Sequence, residues 1–307
     1  IEAGLEVIIF LADWHAQING KLGGSLETIQ LCAEYMKDSF ESLGVPRDKV
    51  KFVMASDIVN DSEYWATVIK IGSETSVARV KRAMTIMGRK AENDEIRTSM
   101  MLYPLMQPAD IFRMDIDIGY GGLDQRRAHM LARDVAKKCG WKAPVAIHTA
   151  LVPGLKAMNR MDPMESKMSK SKPDSGILIH DSPESIRKKF EKAFCPMPGD
   201  YDNTVIKVDK TDGGESAKSG NPVLEIARLL LFNDGSKLLI ERPEKYGGNM
   251  EVSSYEELES AYQNGLHPMD LKHAVAKGVA DCLAESRAYF ERNHENYDRF
   301  LATIRKD

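Results

Sequence analysis

The sequence predicts an α/β fold, with a doubly wound parallel sheet followed by a mostly helical C-terminal domain. Val7–Ala12 is a continuous apolar run rich in β-branched residues, which is typical of a strand buried on both faces. A helix capped by Ser25 and a second strand over Lys51–Ala55 follow, in the strand–helix–strand order of parallel sheets. Residues 223–307 show mostly helical patterns. The N-terminal part is therefore expected to be Rossmann-like.

The elements between these landmarks follow from local apolar periodicity, from glycine and proline, and from helix caps. The prediction in chain order is a helix over 62–100, a helix starting near Leu102 with an early proline, a strand over Met114–Ile118 ended by the glycines after it, a helix over Asp124–Cys139, a strand over Pro144–Thr149 and a helix starting at Pro183.

Two domains are expected, because 307 residues exceed the usual ~150 residues of one domain. Residues 153–176 are irregular and rich in Gly, Pro, Ser, Lys and Met, so we place the boundary just after them. An α/β domain is predicted over 1–178 and a helical domain over 179–307. The aperiodic stretch 196–222 is predicted to be a loop or linker.

Composition limits the classes of function. Acidic residues outnumber basic ones 46 to 42, so a nucleic-acid surface would have to come from local clusters of charge. No apolar run approaches the ~18 residues of a membrane-spanning helix, so no membrane partner is expected. The four cysteines match no zinc framework, which predicts no structural metal and a cytoplasmic protein with reduced thiols.

The loop Lys167–Lys172 is the first candidate for chemistry. Its three lysines suit phosphate oxygens and its two serines add hydroxyl donors. A solvated lysine–serine loop is the bland alternative. The string Lys-Met-Ser-Lys-Ser, however, resembles the KMSKS signature loop of class I aminoacyl-tRNA synthetases, which closes over ATP and stabilises the leaving pyrophosphate.

The second candidate is a polar stripe on one helix. Tyr103, Gln107 and Asp110 are spaced i, i+4 and i+7, so their side chains share a face. This stripe could be a solvated face, or it could line a pocket for a small ligand that carries an amine and a hydroxyl. Glycines before Asp124 would let a ligand approach the end of a strand closely, although Asp124 could equally be a helix cap.

Taken together and in this order, these segments resemble the tyrosyl-tRNA synthetases of the archaeal and eukaryal branch. The resemblance covers nearly the whole chain, from Phe10–His15 to Arg242–Gly248 and His267–Asp270. It implies a tyrosine–tRNA ligase that activates L-tyrosine with ATP and Mg²⁺ to tyrosyl-adenylate, and then transfers the tyrosyl group to tRNA(Tyr). It also implies a catalytic domain over 1–178, an anticodon-binding domain over 179–307 and a homodimer whose interface lies in 57–100.

The resemblance assigns roles residue by residue. Asp110 would accept a hydrogen bond from the substrate phenol, and a buried Asp110 without that partner would disfavour phenylalanine. His15 could instead be structural, the basic residues could be solvated, and Tyr246 could be packed against its glycines. The remaining roles are tyrosine binding by Tyr103, Gln107, Gln125, Phe10, Ala12 and His15; nucleotide binding by Gly122, Asp124, Lys167, Met168 and Lys170; catalysis by Lys167, Ser169 and Lys170; and tRNA binding by Arg79, Lys81, Arg82, Arg126, Arg127, Tyr246, His267 and Asp270.

One family feature is absent from the sequence. Class I synthetases carry a His-x-Gly-His signature in their first strand–helix unit, and no histidine here is followed by Gly-His. That unit amounts to roughly 30 residues. Two interpretations are open: a synthetase whose first unit precedes Ile1, or a relative that has lost activation and kept RNA binding. We favour the first, because the Lys167–Ser171 string and the tyrosine-pocket residues are intact, and we expect these 307 residues alone to activate tyrosine poorly.

Two other functions stay open at this stage. A tryptophanyl-tRNA synthetase would share the fold and the signature loop, but the stripe with its hydroxyl acceptor Asp110 argues against it. A non-catalytic tRNA-binding protein would bind neither tyrosine nor ATP. A Rossmann dehydrogenase fits poorly, because no G-x-G-x-x-G follows a predicted strand.

Overall fold

The computed structural model of the chain describes residues 1–87, 96–156, 168, 175–201, 220–232 and 235–304. The chain divides into two compact units. The first unit comprises Ile1–Thr149 together with Tyr289–Asp307, and the second comprises Ala150–Ala288.

The first unit alternates strands with helices. Its elements are β1 (Val7–Leu11), α1 (Asp13–Ile18), α2 (Leu26–Ser42), β2 (Val50–Met54), α3 (Ala55–Ile58), α4 (Ser62–Ser73), α5 (Val77–Ala83), α6 (Thr98–Arg113), β3 (Ile118–Gly122), α7 (Arg126–Cys139) and β4 (Val145–Thr149).

The strands described in this unit form two parallel pairs. β1 pairs with β2 in a register that runs from Val7 opposite Val50 to Leu11 opposite Met54. β3 pairs with β4, with Gly121 opposite His148. Parallel strands joined through helices are the arrangement that the sequence predicts, so the α/β class is confirmed. In each pair the carboxyl ends of both strands meet at the same edge, and the residues that follow them build the candidate site.

Helix α2 begins where the sequence predicts, because the Ser25 hydroxyl accepts a hydrogen bond from Thr28 N at 3.2 Å. The C-terminal helices α12 (Ala284–Arg292) and α13 (Glu295–Ile304) carry the end of the chain back to the first unit. There the Tyr35 ring stacks on Phe300, with centroids 5.9 Å apart and planes 6° from parallel. Tyr289 also donates to Glu41 Oε2 at 2.9 Å. The sequence gives no sign of this return, since the contacts join residues more than 240 positions apart.

The second unit is helical around a small hairpin and has an apolar core that includes Phe190, Leu224, Leu258 and Tyr262. Residues 223–307 are mostly helical, as predicted, and the antiparallel pair β5–β6 is an addition to that prediction, because three-residue strands are too short to leave a periodic signal. The elements of this unit are α8 (Pro183–Glu191), α9 (Pro222–Leu230), β5 (Leu238–Ile240), β6 (Met250–Val252), α10 (Tyr255–Gln263) and α11 (Pro268–Cys282).

The predicted strand over Met114–Ile118 is wrong. The strand lies at Ile118–Gly122 and contains the glycines that were expected to end it. A Cβ on Gly119 or Gly121 would lie 3.6 Å from the His129 ring of α7, an ordinary contact distance, so that helix lies directly over the strand at these positions. Packing against α7 therefore overrides the low strand propensity of glycine.

Two helix boundaries also differ from expectation. The predicted helix over 62–100 is divided into α4 and α5, where the Ser76 hydroxyl caps α5 by accepting from Arg79 N at 3.3 Å. Residues 88–95 lie outside the described residues. The helix expected to start near Leu102 starts at Thr98, so Pro104 and Pro108 lie inside it. Burial of α6 on its apolar face offsets the hydrogen bonds that the prolines remove.

The compact units do not divide where the sequence places the domain boundary. They separate at Thr149, whereas the predicted boundary lies after residue 178. Leu155 is fully buried in the core of the second unit and accepts a hydrogen bond from Phe194 N at 2.7 Å, which ties the start of that unit to the segment that follows α8. A catalytic domain over 1–178 and an anticodon-binding domain over 179–307 stay predictions.

Candidate active site

The candidate site centres on the buried carboxylate of Asp110, in the last turns of α6. Asp110 is 3% exposed. Its Oδ1 accepts a hydrogen bond from the Tyr64 hydroxyl of α4 at 2.8 Å, and its Oδ2 lies 3.1 Å from His15 Nε2 of α1. The histidine contact has the distance of an ion pair without the geometry of a regular hydrogen bond. Three helices thus converge on one carboxylate.

Burial governs the electrostatics of this carboxylate. Loss of water raises the pKa of Asp110, while the contacts with His15 and Tyr64 favour the ionised form and oppose that rise. Burial also raises the pKa of Tyr103 to about 12, with contributions from the charges of Asp110 and Asp124. Tyr103 therefore keeps its proton at neutral pH, and both carboxylates lie close enough to act on it.

The His15 ring links the end of β1 to the polar stripe of α6. It lies edge-on to Tyr103, with ring centroids 5.0 Å apart, and edge-on to Phe10 at 6.0 Å. Its Nδ1 is buried and finds no hydrogen-bond partner among the residues that the structure describes. The structure thus brings Phe10, His15, Tyr103 and Asp110 together, and the half-buried Ala12 joins β1 to α1 beside them.

The side-chain amides of Gln107 and Gln125, both predicted to bind tyrosine, contact each other. Gln107 Nε2 donates to Gln125 Oε1 at 3.1 Å, which joins α6 to the turn after β3. Gln107 Oε1 is buried and accepts no hydrogen bond within the described part of the chain. An ammonium group carries three donors and no acceptor, so this oxygen offers it a binding position.

A second buried carboxylate, that of Asp13, links the segments that follow β1 and β2. Asp13, which follows β1, is 2% exposed. It accepts hydrogen bonds from the Ser56 backbone N–H at 3.1 Å, from the Ser56 hydroxyl and from Gln30 Nε2 at 3.1 Å. Because Ser56 follows β2, Asp13 clamps the two strand ends together and sets the position of α1, which carries His15.

The predicted nucleotide-binding residues are only partly described. Gly122 ends β3, and the half-buried Asp124 lies in the turn that follows it. Met168 lies in the second unit, where its N–H donates to Val152 O at 2.9 Å and its sulfur accepts from Ile177 N at 3.1 Å. Lys167, Ser169 and Lys170, predicted as catalytic, lie outside the described residues.

Both predicted basic clusters of the first unit meet on one surface. Arg79, Lys81 and Arg82 lie on α5, and Arg126 and Arg127 lie at the start of α7. Arg127 donates to the Arg82 carbonyl at 3.0 Å, and Arg79 pairs with Asp134 of α7 at 2.7 Å. A cleft of about 750 Å³ between these helices is also lined by Lys137 and Lys138, which sequence reasoning missed.

The predicted anticodon-binding residues all lie in the second unit. Tyr246 is 61% exposed between β5 and β6, and Lys245 Nζ lies 4.8 Å from its ring centroid. His267 caps α11, because its Nδ1 accepts a hydrogen bond from Met269 N at 3.2 Å. Asp270 lies in the first turn of the same helix. An exposed ring beside a cation is a suitable stacking platform for a base.

Sequence reasoning missed Tyr64, although a signal was present. Tyr64, Val68 and Ile71 are spaced i, i+4 and i+7, and all three are buried. A tyrosine on a wholly apolar stripe requires a partner for its hydroxyl. Asp13, an acid directly after a buried strand, is a similar signal. Neither pattern identifies the partner.

No group of three or more His, Cys, Asp or Glu side chains among the described residues is arranged to hold a metal ion. No helix among them combines the length and the apolar character needed to cross a lipid bilayer.

Fold and site together define a parallel α/β protein that can hold a small polar ligand at the carboxyl ends of its strands. Residues 1–284 match the family model described as tRNA synthetases class I (W and Y). The chain belongs to this family of aminoacyl-tRNA synthetases.

Three comparisons with archaeal tyrosyl-tRNA synthetases show the similarity. The chain is 46% identical to the tyrosine–tRNA ligase of Aeropyrum pernix over 298 residues, which cover 94% of this chain and 77% of that protein. The crystal structure of the Aeropyrum pernix tyrosyl-tRNA synthetase matches with a TM-score of 0.80 at 40% identity, over 100% of this chain and 82% of the other. The Pyrococcus horikoshii tyrosyl-tRNA synthetase, complexed with L-tyrosine, matches with a TM-score of 0.83 at 37% identity, over 98% of this chain and 83% of the other.

Proposed function

We propose that the protein is a tyrosine–tRNA ligase. It activates L-tyrosine with ATP, bound as its Mg²⁺ complex, to tyrosyl-adenylate and pyrophosphate, and then transfers the tyrosyl group to the 3′-terminal ribose of tRNA(Tyr). Membership of the family and the archaeal relatives support this function. The single observation that carries it is the buried Asp110 carboxylate at one end of the Tyr103–Gln107–Asp110 stripe.

The two ends of the stripe bind the two ends of the amino acid. Asp110 accepts the phenol hydroxyl, while Tyr103, Gln107 and Gln125 surround the α-ammonium group. Phenylalanine would leave the buried Asp110 without this donor, a discrimination for which tyrosyl-tRNA synthetases are the standard example. Phe10, Ala12 and His15 line the pocket beside the phenol ring.

Activation needs orientation and charge neutralisation more than a nucleophilic side chain. The substrate carboxylate attacks the α-phosphorus of ATP, the bond to the β-phosphate oxygen breaks and pyrophosphate leaves. Gly122 and Asp124 contact the nucleotide, Asp124 through the ribose 2′-hydroxyl. Lys167, Met168, Ser169 and Lys170 form the loop that stabilises the leaving pyrophosphate.

The tRNA contacts two surfaces. The basic residues of α5 and α7 face the acceptor end, where guanidinium and ammonium groups bind backbone phosphates. Tyr246 stacks on an anticodon base, with His267 and Asp270 providing hydrogen bonds. The protein acts as a cytoplasmic homodimer whose interface lies within residues 57–100.

Equilibrium binding of free amino acids tests the proposal. L-Tyrosine is expected to bind and to raise the melting temperature, whereas L-tryptophan and L-phenylalanine at the same concentration do not. Binding of tryptophan instead of tyrosine would identify the sister specificity. Binding of tRNA without any amino acid or ATP would identify a non-catalytic RNA-binding protein. Either result contradicts the proposal.

A further inference from the structure

Tyr64 occupies an unusual position for a core residue. It is 0% exposed, and its hydroxyl donates to the same carboxylate that the proposed function reserves for the substrate phenol. The protein therefore supplies a phenol of its own to Asp110, at 2.8 Å from Oδ1. A carboxylate has about four lone-pair positions, so Tyr64 and a substrate phenol can both be accommodated.

The Tyr64 ring has little freedom to move. It packs in the core formed by α4 and α6, which includes Val68, Ile71 and Met106, and lies edge-on to Trp65 at 5.5 Å. Trp65 is itself held by a hydrogen bond from its Nε1 to Val59 O at 2.9 Å. The hydroxyl oxygen on so constrained a ring keeps a fixed position beside Asp110 Oδ1.

The two helices that bring Tyr64 and Asp110 together are also joined outside the core. Arg113, one turn beyond Asp110, pairs with Asp61, the cap of α4, and with Glu63 at 3.0 Å. The cap and the first turn of α4 are thus tied to the last turn of α6, directly beside the buried hydrogen bond. The buried hydrogen bond and the ion pairs of Arg113 therefore both hold α4 against α6.

The orientation of the Asp110 carboxylate depends on its contacts with other side chains, because burial shields it from water. Among the described residues, the titratable groups that contact its carboxylate are His15 of α1 and Tyr64 of α4. Tyr103 of α6, at the other end of the stripe, is within reach of the charges of Asp110 and of Asp124 in the turn after β3. His15 Nε2 approaches Oδ2 without regular hydrogen-bond geometry, so Tyr64 makes the one well-formed hydrogen bond in this set.

We propose that Tyr64 is a positioning residue of the tyrosine site, whose hydroxyl fixes the Asp110 carboxylate in the orientation that accepts the substrate phenol. This inference rests on the proposed function and deepens it. Discrimination between tyrosine and phenylalanine then depends on a hydroxyl that does not itself touch the substrate. Without that hydroxyl, Asp110 takes up a proton more readily and penalises phenylalanine less.

The experiment compares Tyr64→Phe with Tyr262→Phe in the full chain. Tyr262 is also 0% exposed, but it lies in the second unit, where its hydroxyl donates to Pro196 O. The variants remove the same atom from equally buried rings. Calorimetry measures the dissociation constants of L-tyrosine and L-phenylalanine from pH 5 to pH 8, and chemical denaturation measures the stability of each variant.

Tyr64→Phe is expected to weaken tyrosine binding about tenfold, the usual cost of a hydrogen bond to a charged group. It should also reduce the ratio between the dissociation constants of L-phenylalanine and L-tyrosine. The pH midpoint below which tyrosine binding is lost should shift to a higher value. Tyr262→Phe should change none of the three. The ratio and the midpoint do not depend on the folded fraction, so they report on the site even if Tyr64→Phe lowers stability.

Three outcomes overturn the inference. Tyr64→Phe could match the wild type in affinity, ratio and pH midpoint; it could bind tyrosine more tightly, which would make Tyr64 a competitor of the substrate; or both variants could change alike. Absence of tyrosine binding by the wild-type protein would instead reject the proposed function, so the two failures are distinguishable.

Discussion

The two units of the molecule bury different kinds of side chain. In the first unit the described buried residues include Asp13, Asp38, Asp110 and His15. In the second unit the described buried polar residues are Ser175, Asn221 and Ser286, none of which carries a charge at neutral pH. Burying a charged group is costly unless it is well paired. Among the described residues, the buried acidic side chains and their cost therefore lie in the first unit, which also contains the proposed tyrosine site.

Tyr64 and Tyr262 show the same contrast at the level of single residues. Both rings are fully buried, as large aromatic side chains in a core usually are. The hydroxyl of Tyr262 satisfies a backbone carbonyl and leaves its surroundings neutral. The hydroxyl of Tyr64 satisfies a carboxylate whose own pKa is raised by burial. The two equally buried hydroxyls thus differ in the charge of the group that accepts from them, and only that of Tyr64 lies in the proposed tyrosine site.

Truncation of a core residue in each unit gives the largest expected effect. Leu258 and Met106 are both 0% exposed, so replacing either by Ala should lower the free energy of unfolding by about 2–5 kcal/mol. Leu258→Ala should leave tyrosine affinity unchanged. Met106→Ala should weaken it, because Met106 lies on α6, the helix that carries the polar stripe, and packs in the same core as Tyr64. Denaturation measures the free energy of unfolding, and calorimetry measures the tyrosine affinity. Equal losses of affinity in the two variants would contradict the assignment of the tyrosine site to the first unit.

Asp110→Asn tests whether the buried charge serves binding at the expense of stability. We expect tyrosine to bind 1.5–3 kcal/mol more weakly, about 10- to 100-fold. Because burial raises the pKa of Asp110, the wild type loses stability as pH rises through that pKa, and the neutral Asn does not. The variant should therefore gain stability relative to wild type at pH 7, with a smaller gain at pH 4.

Asp38→Asn is the matched control for this variant. Asp38 is 5% exposed in the same unit, but it pairs with Arg47 and accepts a hydrogen bond from Asn296 at 2.9 Å. Its replacement should lower stability and leave tyrosine binding unchanged. A loss of stability in Asp110→Asn as large as that in Asp38→Asn would contradict the contrast between a functional and a structural buried acid.

Tyr246 tests the surface function proposed for the second unit. Replacing it by Ala should weaken tRNA(Tyr) binding by about 1–3 kcal/mol, the contribution of one base stacked on an aromatic ring. Tyr246→Phe should retain most of the affinity, because the ring and the nearby Lys245 are preserved. Filter binding measures both variants, and tyrosine affinity should be unchanged in each. An unchanged affinity for tRNA in the Ala variant would show that this exposed ring is only part of the fold.

The sequence predicts elements well where the signal is local. The first two strands, the Ser25 cap and the strand before Thr149 each depend on a short apolar run or a capping side chain. The sequence misplaces β3 because the strand is covered by His129, ten or fewer residues away in sequence from Gly119 and Gly121 but on another element. Local propensity carries no information about which helix will cover a strand.

The candidate site also has a part that the sequence predicts from local spacing and a part that only the fold reveals. The spacing of Tyr103, Gln107 and Asp110 places them on one helix face, and the structure has them on α6. Their partners Tyr64, His15 and Gln125 come from three other segments, and only the fold brings these together. Tyr64 was missed for this reason: its own helix shows an ordinary apolar stripe, and the carboxylate it serves lies 46 positions away. The roles of all these residues stay predictions.

The smallest expected effect concerns the histidine pair beneath the site. His129 Nδ1 and His148 Nε2 lie 3.0 Å apart, which requires one ring to donate and the other to accept, so the accepting ring is neutral. The pKa of His129 is lowered by burial and by His148, and that of His148 by burial and by Arg126. Their contribution to stability is therefore complete above the unfolded value of about 6.5 and is lost as pH falls through the lowered folded values.

Melting temperatures between pH 7.5 and pH 5 measure this contribution. The wild type should lose stability over that range, and the double variant His129→Gln/His148→Gln should show a shallower slope, because glutamine keeps hydrogen-bonding groups and does not titrate. His180, in the second unit, has a pKa that is also lowered by burial, so His180→Gln provides a control for the slope that comes from outside the first unit. If the histidine pair is responsible, the double variant flattens the profile more than His180→Gln does. Parallel slopes in the wild type and the double variant would show that the histidine pair does not contribute to the pH dependence of stability.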